Sequence, residues 1–231
     1  MDLNTPLAKL LTEGNSLRAC ARILGMTYKS TYKKFLWLKK VTELNKGRIS
    51  YKAEKLQFDE LETILHTKCK PLSIALVVNE DSQLIAAQVA EIPAKGRLAS
   101  FSVFKYGPRR DDRRLAMEAV LMTAKSRLRN QVGIVESDAK SAYRSIVKKC
   151  LGEVQHLEHA RKIDKRTLQE RLHEKHQKRR YDPLFAINHQ CARLRDRIKR
   201  LVRRNWCTTK KLENLQLHLD LVIHMNQFGK I

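Results

Sequence analysis

Residues 132–143, Val-Gly-Ile-Val-Glu-Ser-Asp-Ala-Lys-Ser-Ala-Tyr, predict a short buried strand that stops at an acid. Val132, Ile134 and Val135 favour a strand, and Asp138 ends the apolar run. The residues that follow, 139–150, have the apolar periodicity of a helix. A carboxylate at the carboxyl end of a core strand lies in the crevice where open α/β sheets bind ligands. Asp is also a favoured helix cap, so Asp138 taken alone fits both roles equally well.

The charge balance indicates a polyanionic partner. The 231 residues include 47 Lys or Arg against 24 Asp or Glu, which gives a formal net charge of +23. An excess of this size is far more than solubility requires and is typical of proteins that bind nucleic acid. The chain has no apolar run of about 18 residues and no basic amphipathic anchor at its start, so we expect no membrane partner.

The cysteines and the first residues indicate a location in the reducing cytoplasm. A DNA partner there implies association with the nucleoid. The five cysteines lie far apart, and no pair has Cys-x-x-Cys spacing. We therefore expect neither a zinc site nor a disulfide framework. The residues at the amino terminus lack the pattern of a signal peptide.

Residues 1–42 predict a small all-α domain with a helix-turn-helix. Three apolar stripes with helical spacing lie in residues 5–40, and Gly14 and Gly25 separate them. The third stretch mixes basic, hydroxyl and aromatic residues, which suits a recognition helix in the DNA major groove. An ordinary three-helix packing unit is the alternative. The candidate DNA contacts on this helix are Lys29, Ser30, Thr31, Lys33 and Lys34.

Residues 56–231 predict a catalytic α/β domain, joined to the first by a polar, basic linker at 43–55. Alternating or apolar runs at 56–65, 72–78 and 84–92, separated by turns, predict an antiparallel meander. Residues 93–112 predict mostly loop, with a short extended piece around 101–104. A helix at 113–129, the strand ending at Asp138, a helix and a strand at 154–157 follow. This order is that of the ribonuclease-H-like fold, a mixed sheet flanked by helices.

The predicted fold brings two acids together. In the ribonuclease-H-like order the first and fourth strands are neighbours, so Asp59 and Asp138 would lie side by side. Leu56, Phe58 and Leu61 flank Asp59, and an apolar setting is an expensive place for a charge. Two carboxylates held together repel each other, and a divalent cation removes that repulsion. The pair therefore predicts a metal site.

The last third of the chain is strongly basic and predicts helices that follow the catalytic sheet. A helix predicted over 190–204 buries only a few apolar residues. Its charged face can be interpreted in two ways. It is either merely solvated or it binds phosphate, and the excess of arginine over acid favours phosphate. The candidate DNA contacts here are Arg195, Arg203 and Arg204.

Four motifs, in this order, resemble the DDE-type insertion-sequence transposases of a small bacterial and archaeal group. They are Gln57-Phe58-Asp59-Glu60, Ser137-Asp138-x-x-x-x-Tyr143, Asp182-Pro183-Leu184-Phe185-Ala186-Ile187-Asn188-His189 and Arg204-Asn205-Trp206-Cys207-Thr208-Thr209-Lys210. The resemblance implies Mg²⁺-dependent DNA cleavage and strand transfer, with Mn²⁺ as a substitute ion. It also implies terminal repeats and target DNA as partners, and a homodimer or higher oligomer on DNA.

The resemblance also implies a third metal ligand, which is usually Glu and here corresponds to Asn188. The amide of Asn188 offers an oxygen but no charge. Glu170 and Glu174 are rival third ligands, and His189 is a further one. Arg195 resembles the basic residue that holds the DNA end. Two alternatives remain: a structure-specific nuclease of the same fold, and a non-catalytic or domesticated DNA-binding protein derived from a transposase.

Overall fold

The computed structural model describes residues 2–160, 169, 182–202 and 208–229. The described residues form eight α-helices: α1 (Asn4–Thr12), α2 (Leu17–Ile23), α3 (Tyr28–Asn45), α4 (Ala99–Tyr106), α5 (Arg113–Arg127), α6 (Ser141–Leu151), α7 (Phe185–Arg197) and α8 (Leu212–Phe228). They form five strands: β1 (Lys55–Leu65), β2 (Thr67–Asn79), β3 (Leu84–Glu91), β4 (Ile134–Asp138) and β5 (Gln155–His159). None of the described helices is long and apolar enough to cross a membrane.

The five strands form one mixed sheet in the order β3-β2-β1-β4-β5. Strands β1, β2 and β3 are antiparallel neighbours, whereas β4 is parallel to β1 and β5 is parallel to β4. Helices flank the sheet, and β1 lies at its centre. This arrangement confirms the predicted ribonuclease-H-like fold. It also confirms that the first and fourth strands are neighbours.

The two faces of the sheet hold different helices because side chains along β1 alternate in direction. On one face, the ring of Phe58 packs against Tyr143 of α6 with 4.8 Å between centroids. On the other face, Gln57 contacts the start of α7. Helix α8 covers the edge strand β3, where Gln216 accepts a hydrogen bond from the Val89 nitrogen and donates one to the Ala87 oxygen. Covering an exposed edge in this way prevents it from pairing with another chain.

Helix α4 corrects the prediction for residues 93–112, which we expected to be loop with an extended piece around 101–104. The apolar pattern misled because this helix buries a serine. Ser102 is 2% exposed, and its hydroxyl donates to the Cys69 carbonyl oxygen at 2.6 Å. The helix ends at Tyr106, and the capping residue Gly107 has a φ of +76°, a left-handed conformation that glycine adopts easily.

Helix α8 belongs to two hydrophobic cores at once. Its residues Leu215, Leu219 and Ile223 pack in the core of the sheet. Its residues Leu217 and Leu221 pack against the three amino-terminal helices, in a core that includes Leu7, Leu11, Phe35 and Leu38. The amino-terminal helices therefore share their core with the last helix of the chain, although the sequence suggested a separate domain.

The predicted linker at 43–55 is structured along most of its length. Helix α3 continues through Asn45, three residues beyond the predicted end of the first domain at 42, and a one-turn 3-10 helix follows at Lys46–Arg48. Ile49, Tyr51 and Ala53 are then buried in the core of the sheet. Tyr51 also forms backbone hydrogen bonds with Arg127 and Arg129. Alternating apolar residues in this short stretch are the signal for its burial.

Candidate active site

Asp59 and Asp138 lie side by side on neighbouring strands. Gln57 of β1 is opposite Glu136 of β4, and these strands are parallel. Two residues further along each strand, Asp59 and Asp138 therefore share one face of the sheet, at the carboxyl end of β4. Both side chains are half-buried. The structure thus joins two acids that are 79 residues apart in the chain, as the sequence predicted.

Asp59 lies in a setting that disfavours its charge, and Asp138 has a buried oxygen. Burial raises the pKa of Asp59 above the usual carboxyl value, and the charge of Asp138 raises it further. A hydrogen bond of 2.7 Å from the Glu60 nitrogen to Asp59 Oδ1 acts in the opposite direction without cancelling the increase. Oδ1 of Asp138 is buried and has no hydrogen-bond partner among the described residues. A buried acceptor without a partner is costly, so this oxygen is available to a ligand.

The donor atoms of this pair fit a hard divalent cation. Mg²⁺ and Mn²⁺ prefer carboxylate oxygens, and Mg²⁺ is usually bound through one or two carboxylates while it keeps several waters. The partnerless oxygen of Asp138 and the repulsion between the two acids are both relieved by a positive ion. Within the described residues, no group of three or more His, Cys, Asp or Glu side chains has the spacing of a metal site. The candidate site therefore consists of two carboxylates.

Gln57 ties three parts of the chain together beside the acids, and sequence reasoning did not single it out. Its Nε2 donates to Glu136 Oε2 at 2.6 Å and to the Pro183 oxygen at 2.7 Å. Its Oε1 accepts from the Ile187 nitrogen at 3.0 Å. The side chain is 3% exposed, so these bonds are shielded from water. The sequence did contain a signal for this role, since Gln57 is a polar residue two positions before Asp59 and therefore lies on the same face of the strand.

Glu136 is a buried acid whose oxygens are already bound. Lys55 Nζ lies 3.0 Å and His159 Nε2 lies 3.5 Å from its Oε1, in addition to the bond from Gln57. Burial acts to raise the pKa of Glu136, but the hydrogen bonds from Gln57 and Lys55 outweigh it and leave the pKa below the usual value. Glu136 is therefore a fixed anion that connects β4 to Gln57 and Lys55 of β1.

Helix α7 approaches Asp59 through Cys191, which lies three residues after Asn188. Burial and the nearby charge of Asp59 raise the pKa of the Cys191 thiol to about 12.

Asn188 is exposed, and its Nδ2 donates to Asp182 Oδ2 at 2.8 Å. His189 is exposed and stacks on Phe185 with 5.4 Å between ring centroids. Asp59 is thus a neighbour of Asp138 through strand pairing and charge, whereas the amide of Asn188 is bonded to Asp182. Glu170 and Glu174 lie outside the described residues.

Tyr143, which belongs to the second motif, holds α6 against β1. It is 2% exposed, and its hydroxyl donates to Glu60 Oε1 at 3.1 Å. Glu60 also accepts from Ser73 at 3.2 Å and pairs with Lys140 at 3.4 Å. These contacts lie on the face of β1 opposite Asp59. The spacing between Asp138 and Tyr143 therefore has a packing role.

No protein-family model and no curated protein matches this sequence. Solved structures with a similar backbone include the following two. The crystal structure of the Mos1 strand transfer complex has 11% identity and a TM-score of 0.31, covering 97% of this chain and 78% of that chain. The structure of the Mos1 transposase catalytic domain and raltegravir with Mn has 12% identity and a TM-score of 0.26, covering 82% of this chain and 92% of that chain. Similarity of this degree assigns no activity to the chain.

The predicted DNA contacts of α3 fall into two groups. Lys29, Ser30 and Lys33 are exposed, and Lys34 is half-buried with its Nζ donating to Asn4 Oδ1 at 2.9 Å. Thr31 is fully buried, and its hydroxyl donates to the Thr27 carbonyl oxygen at 2.9 Å. The prediction that Thr31 contacts DNA is therefore wrong, because the side chain is buried and its hydroxyl is bonded to the backbone of the preceding turn. In the basic helices, Arg195 is half-buried, and Arg203 and Arg204 lie outside the described residues.

Proposed function

We propose that this protein is a DNA transposase of an insertion sequence, which binds the ends of the element and catalyses metal-dependent cleavage and strand transfer. One observation carries the proposal. Asp59 and Asp138 are held together at the carboxyl end of a parallel strand pair, and one buried oxygen of Asp138 has no partner. Open α/β sheets bind their ligands at this edge.

The chemistry that fits this pair is phosphoryl transfer. Asp59 and Asp138 would hold Mg²⁺, or Mn²⁺ as a substitute, and the bound ions supply charge stabilisation at the reacting phosphate. The bonds of Gln57 to Glu136 and to Ile187 fix β1, β4 and the start of α7 relative to one another. They therefore orient the two acids and the first turn of α7, which carries Asn188. Asn188, if it rotated away from Asp182, would add a neutral oxygen to this set. In this reaction class water or a DNA 3′-hydroxyl attacks, so no side-chain nucleophile is required.

The proposed binding of DNA rests on charge and on α3. The net charge of +23 provides the sequence-independent attraction to phosphate. The exposed residues Lys29, Ser30 and Lys33 line one side of α3, the helix proposed to enter the major groove. Arg195, Arg203 and Arg204 are the proposed contacts to the DNA end. Joining two ends requires at least two active sites, so the working form is a homodimer or a higher oligomer in the cytoplasm, on nucleoid DNA.

One observation favours a second candidate, a non-catalytic DNA-binding protein derived from a transposase. The amide of Asn188 is bonded to Asp182, and the described residues provide no third carboxylate beside Asp59 and Asp138. A site with two charged ligands binds a cation less strongly than a site with three. Such a protein would bind DNA through the basic surface and α3 but would not catalyse cleavage.

A strand-transfer assay separates these functions. The DNA that flanks the native gene is labelled, incubated with the full chain and Mg²⁺, and offered a supercoiled target plasmid. A transposase yields labelled plasmid joined to the element end, and Asp59→Asn and Asp138→Asn remove this product while retaining binding in a gel shift. Cleavage without joining would identify a nuclease. Binding without cleavage in Mg²⁺ and in Mn²⁺ would identify the non-catalytic protein.

A further inference from the structure

Helix α4 carries an apolar and aromatic surface that faces solvent. We call Leu98, Phe101, Val103 and Phe104 the α4 surface. Phe104 is 89% exposed, Val103 is 53% exposed and Phe101 is 49% exposed. An isolated exposed apolar residue needs no explanation, but contiguous exposed apolar residues mark an interaction site. Two of the four are phenylalanines within one turn of helix.

The α4 surface faces outward because the other side of the helix is anchored. Ser102 is buried and bonded to the Cys69 carbonyl oxygen of β2 at 2.6 Å. Tyr106 packs edge-on against His66, with 6.5 Å between ring centroids. These contacts fix the rotation of the helix and leave Phe101 and Phe104 away from the core. The exposed aromatic rings are thus a consequence of specific packing.

The surroundings of the α4 surface are basic. Residues 92–110 include Lys95, Arg97, Lys105, Arg109 and Arg110 and contain no acid. Lys95, Arg109 and Arg110 pair with acids outside this stretch, whereas the described residues include no ion pair to Arg97 or Lys105. Lys105 Nζ lies 5.7 Å from the centre of the Phe101 ring and 5.6 Å from that of Tyr106. A second copy of this surface would bring like charges together, so an anionic partner fits better.

The α4 surface is connected, through β2, to the strand that carries Asp59. Helix α4 is bonded to the start of β2, next to the carboxyl end of β1, and Asp59 lies six residues before that end. Six residues of strand span about 20 Å, a length that corresponds to roughly six nucleotides of a DNA strand. DNA with its reacting phosphate at Asp59 that follows β1 toward its carboxyl end would therefore reach α4.

We propose that the α4 surface binds unpaired bases of DNA close to the reacting end, with Phe101 and Phe104 as stacking platforms. The placement of the bases rests on the proposed function, whereas the stacking itself does not require cleavage. An intact duplex presents charged backbone and base edges but no free ring faces, so Phe104 gains a partner only where bases are unstacked. Combined basic and aromatic surfaces of this kind bind single strands without sequence preference, because every base has an aromatic face.

The test compares two DNA probes on the full chain. One is a blunt duplex with a fluorescent label, and the other is the same duplex with a single-stranded tail of thymines at its 3′ end. Fluorescence anisotropy in EDTA gives the affinity for each. Stacking contributes about 5- to 150-fold per base in affinity, so the tailed probe should bind the wild-type protein more tightly by at least the lower figure.

Three variants test whether Phe101 and Phe104 cause the preference for the tailed probe. Phe104→Ala and Phe101→Ala should each reduce the preference for the tail by about 5-fold or more and leave the affinity for the blunt duplex unchanged. Phe104→Leu retains apolar area without an aromatic face and should lose most of the preference. Leu44→Ala is the matched control, because Leu44 is an apolar residue of α3 that is 81% exposed and lies far from α4 in the chain. A 2-aminopurine in the tail should be quenched by the wild-type protein and not by Phe104→Ala.

Several results would overturn the proposal. One is an unchanged preference for the tail in the Phe101→Ala, Phe104→Ala double variant. Another is binding of the wild-type protein to anionic phospholipid vesicles that Phe104→Ala abolishes, which would assign the surface to a membrane. Self-association in sedimentation velocity that Phe104→Ala abolishes would assign it to a second copy of the chain.

The background variant Asp59→Asn separates this inference from the proposed function. A tail preference that depends on Phe104 and persists in Asp59→Asn supports the α4 proposal, even if the wild-type protein never cleaves DNA. Cleavage by a wild-type protein that shows no tail preference supports the proposed function and overturns the α4 proposal.

Discussion

The side-chain oxygen of Gln57 accepts a hydrogen bond of 3.0 Å from the backbone nitrogen of Ile187, which ties β1 to the first turn of α7. The first turn of a helix leaves its backbone nitrogens without partners inside the helix, so an acceptor from elsewhere stabilises it. Because the amide of Gln57 also donates to Glu136 and to Pro183, one residue fixes the position of α7 against the strands that carry Asp59 and Asp138.

We expect Gln57→Met to lower the free energy of unfolding and to reduce cleavage. Methionine has nearly the same length but cannot form the three hydrogen bonds, and each buried group left without a partner costs about 1–3 kcal/mol. Guanidinium unfolding and the cleavage rate are the measurements. Gln131→Met, at an exposed position just before β4, is the control and should change neither. Equal stability of Gln57→Met and the wild type would show that the bridge is dispensable.

We expect divalent ions to raise the melting temperature of the wild-type protein and not that of Asp59→Asn or Asp138→Asn. A ligand that binds only the folded state stabilises it according to its concentration, by about 2.7 kcal/mol at one hundred times its Kd. For a chain of this size, 1 kcal/mol corresponds to about 2–4 °C. Thermal scans with Mn²⁺ and with EDTA measure the shift without relying on activity. A full shift in either variant would remove that acid from the metal site.

The raised pKa of Asp59 predicts a pH-dependent stability in the absence of metal. Its folded-state pKa exceeds the unfolded value, so the ionised carboxylate destabilises the fold at pH 7. That cost disappears as the pH falls below the unfolded value of about 3.9, where both states are protonated. In EDTA, Asp59→Asn should therefore be more stable than the wild type at pH 7, and the difference should close toward pH 4. Chemical unfolding at both pH values tests this, and a difference independent of pH would contradict it.

We expect Asn188→Ala to reduce cleavage by about 10- to 100-fold if its oxygen supports the metal site, with partial rescue by Mn²⁺. Asn188→Glu restores a charge but places it beside Asp182, which the amide now contacts at 2.8 Å. Activity should therefore improve only when Asp182→Asn accompanies Asn188→Glu. Cleavage rates in Mg²⁺ and Mn²⁺ are the measurement. Loss of cleavage in Glu174→Ala together with an active Asn188→Ala would place the third ligand at Glu174 instead.

We expect the double variant Lys29→Ala, Lys33→Ala to weaken DNA binding and to flatten its salt dependence. Each lost phosphate contact reduces the slope of log affinity against log salt by about 0.9, so two contacts correspond to roughly 1.8. Lys39→Ala, Lys40→Ala is the matched control, since it removes the same charge from exposed positions farther along α3. Gel shifts at several salt concentrations give the slopes. Equal slopes for both variants would indicate that α3 contributes only net charge.

The exposure of Ser30 allows a more specific prediction about how α3 recognises the DNA sequence. Ser30 faces solvent beside Lys29 and Lys33, whereas Thr31 is buried. Ser30→Ala should therefore reduce discrimination between the element end and unrelated DNA, and Thr31→Ala should instead lower stability through the lost contact with Thr27. Competition binding and thermal unfolding distinguish the two effects. Loss of discrimination in Thr31→Ala at unchanged stability would contradict this assignment.

The sequence by itself determined the order of the five strands of the sheet and the pairing of the two acids. Strand and helix periodicities are local, so the meander, the strand that ends at Asp138 and the helix predicted at 113–129 follow from short windows. The neighbouring positions of Asp59 and Asp138 then follow from the strand order of one fold. The burial of Thr31 escaped prediction because α3 packs in a core that includes α8, which lies almost two hundred residues later.

The tertiary structure alone decided which side chains support the site and which face outward. The partners of Gln57 lie 79, 126 and 130 residues away in the chain, so no local pattern indicates them. Helix α4 buries Ser102 and exposes Phe104, the reverse of what hydrophobicity predicts, because the Cys69 carbonyl offers Ser102 a buried hydrogen bond. Hydrogen bonds between distant segments depend on the position of the backbone after folding, and the identity of a single residue does not contain that information.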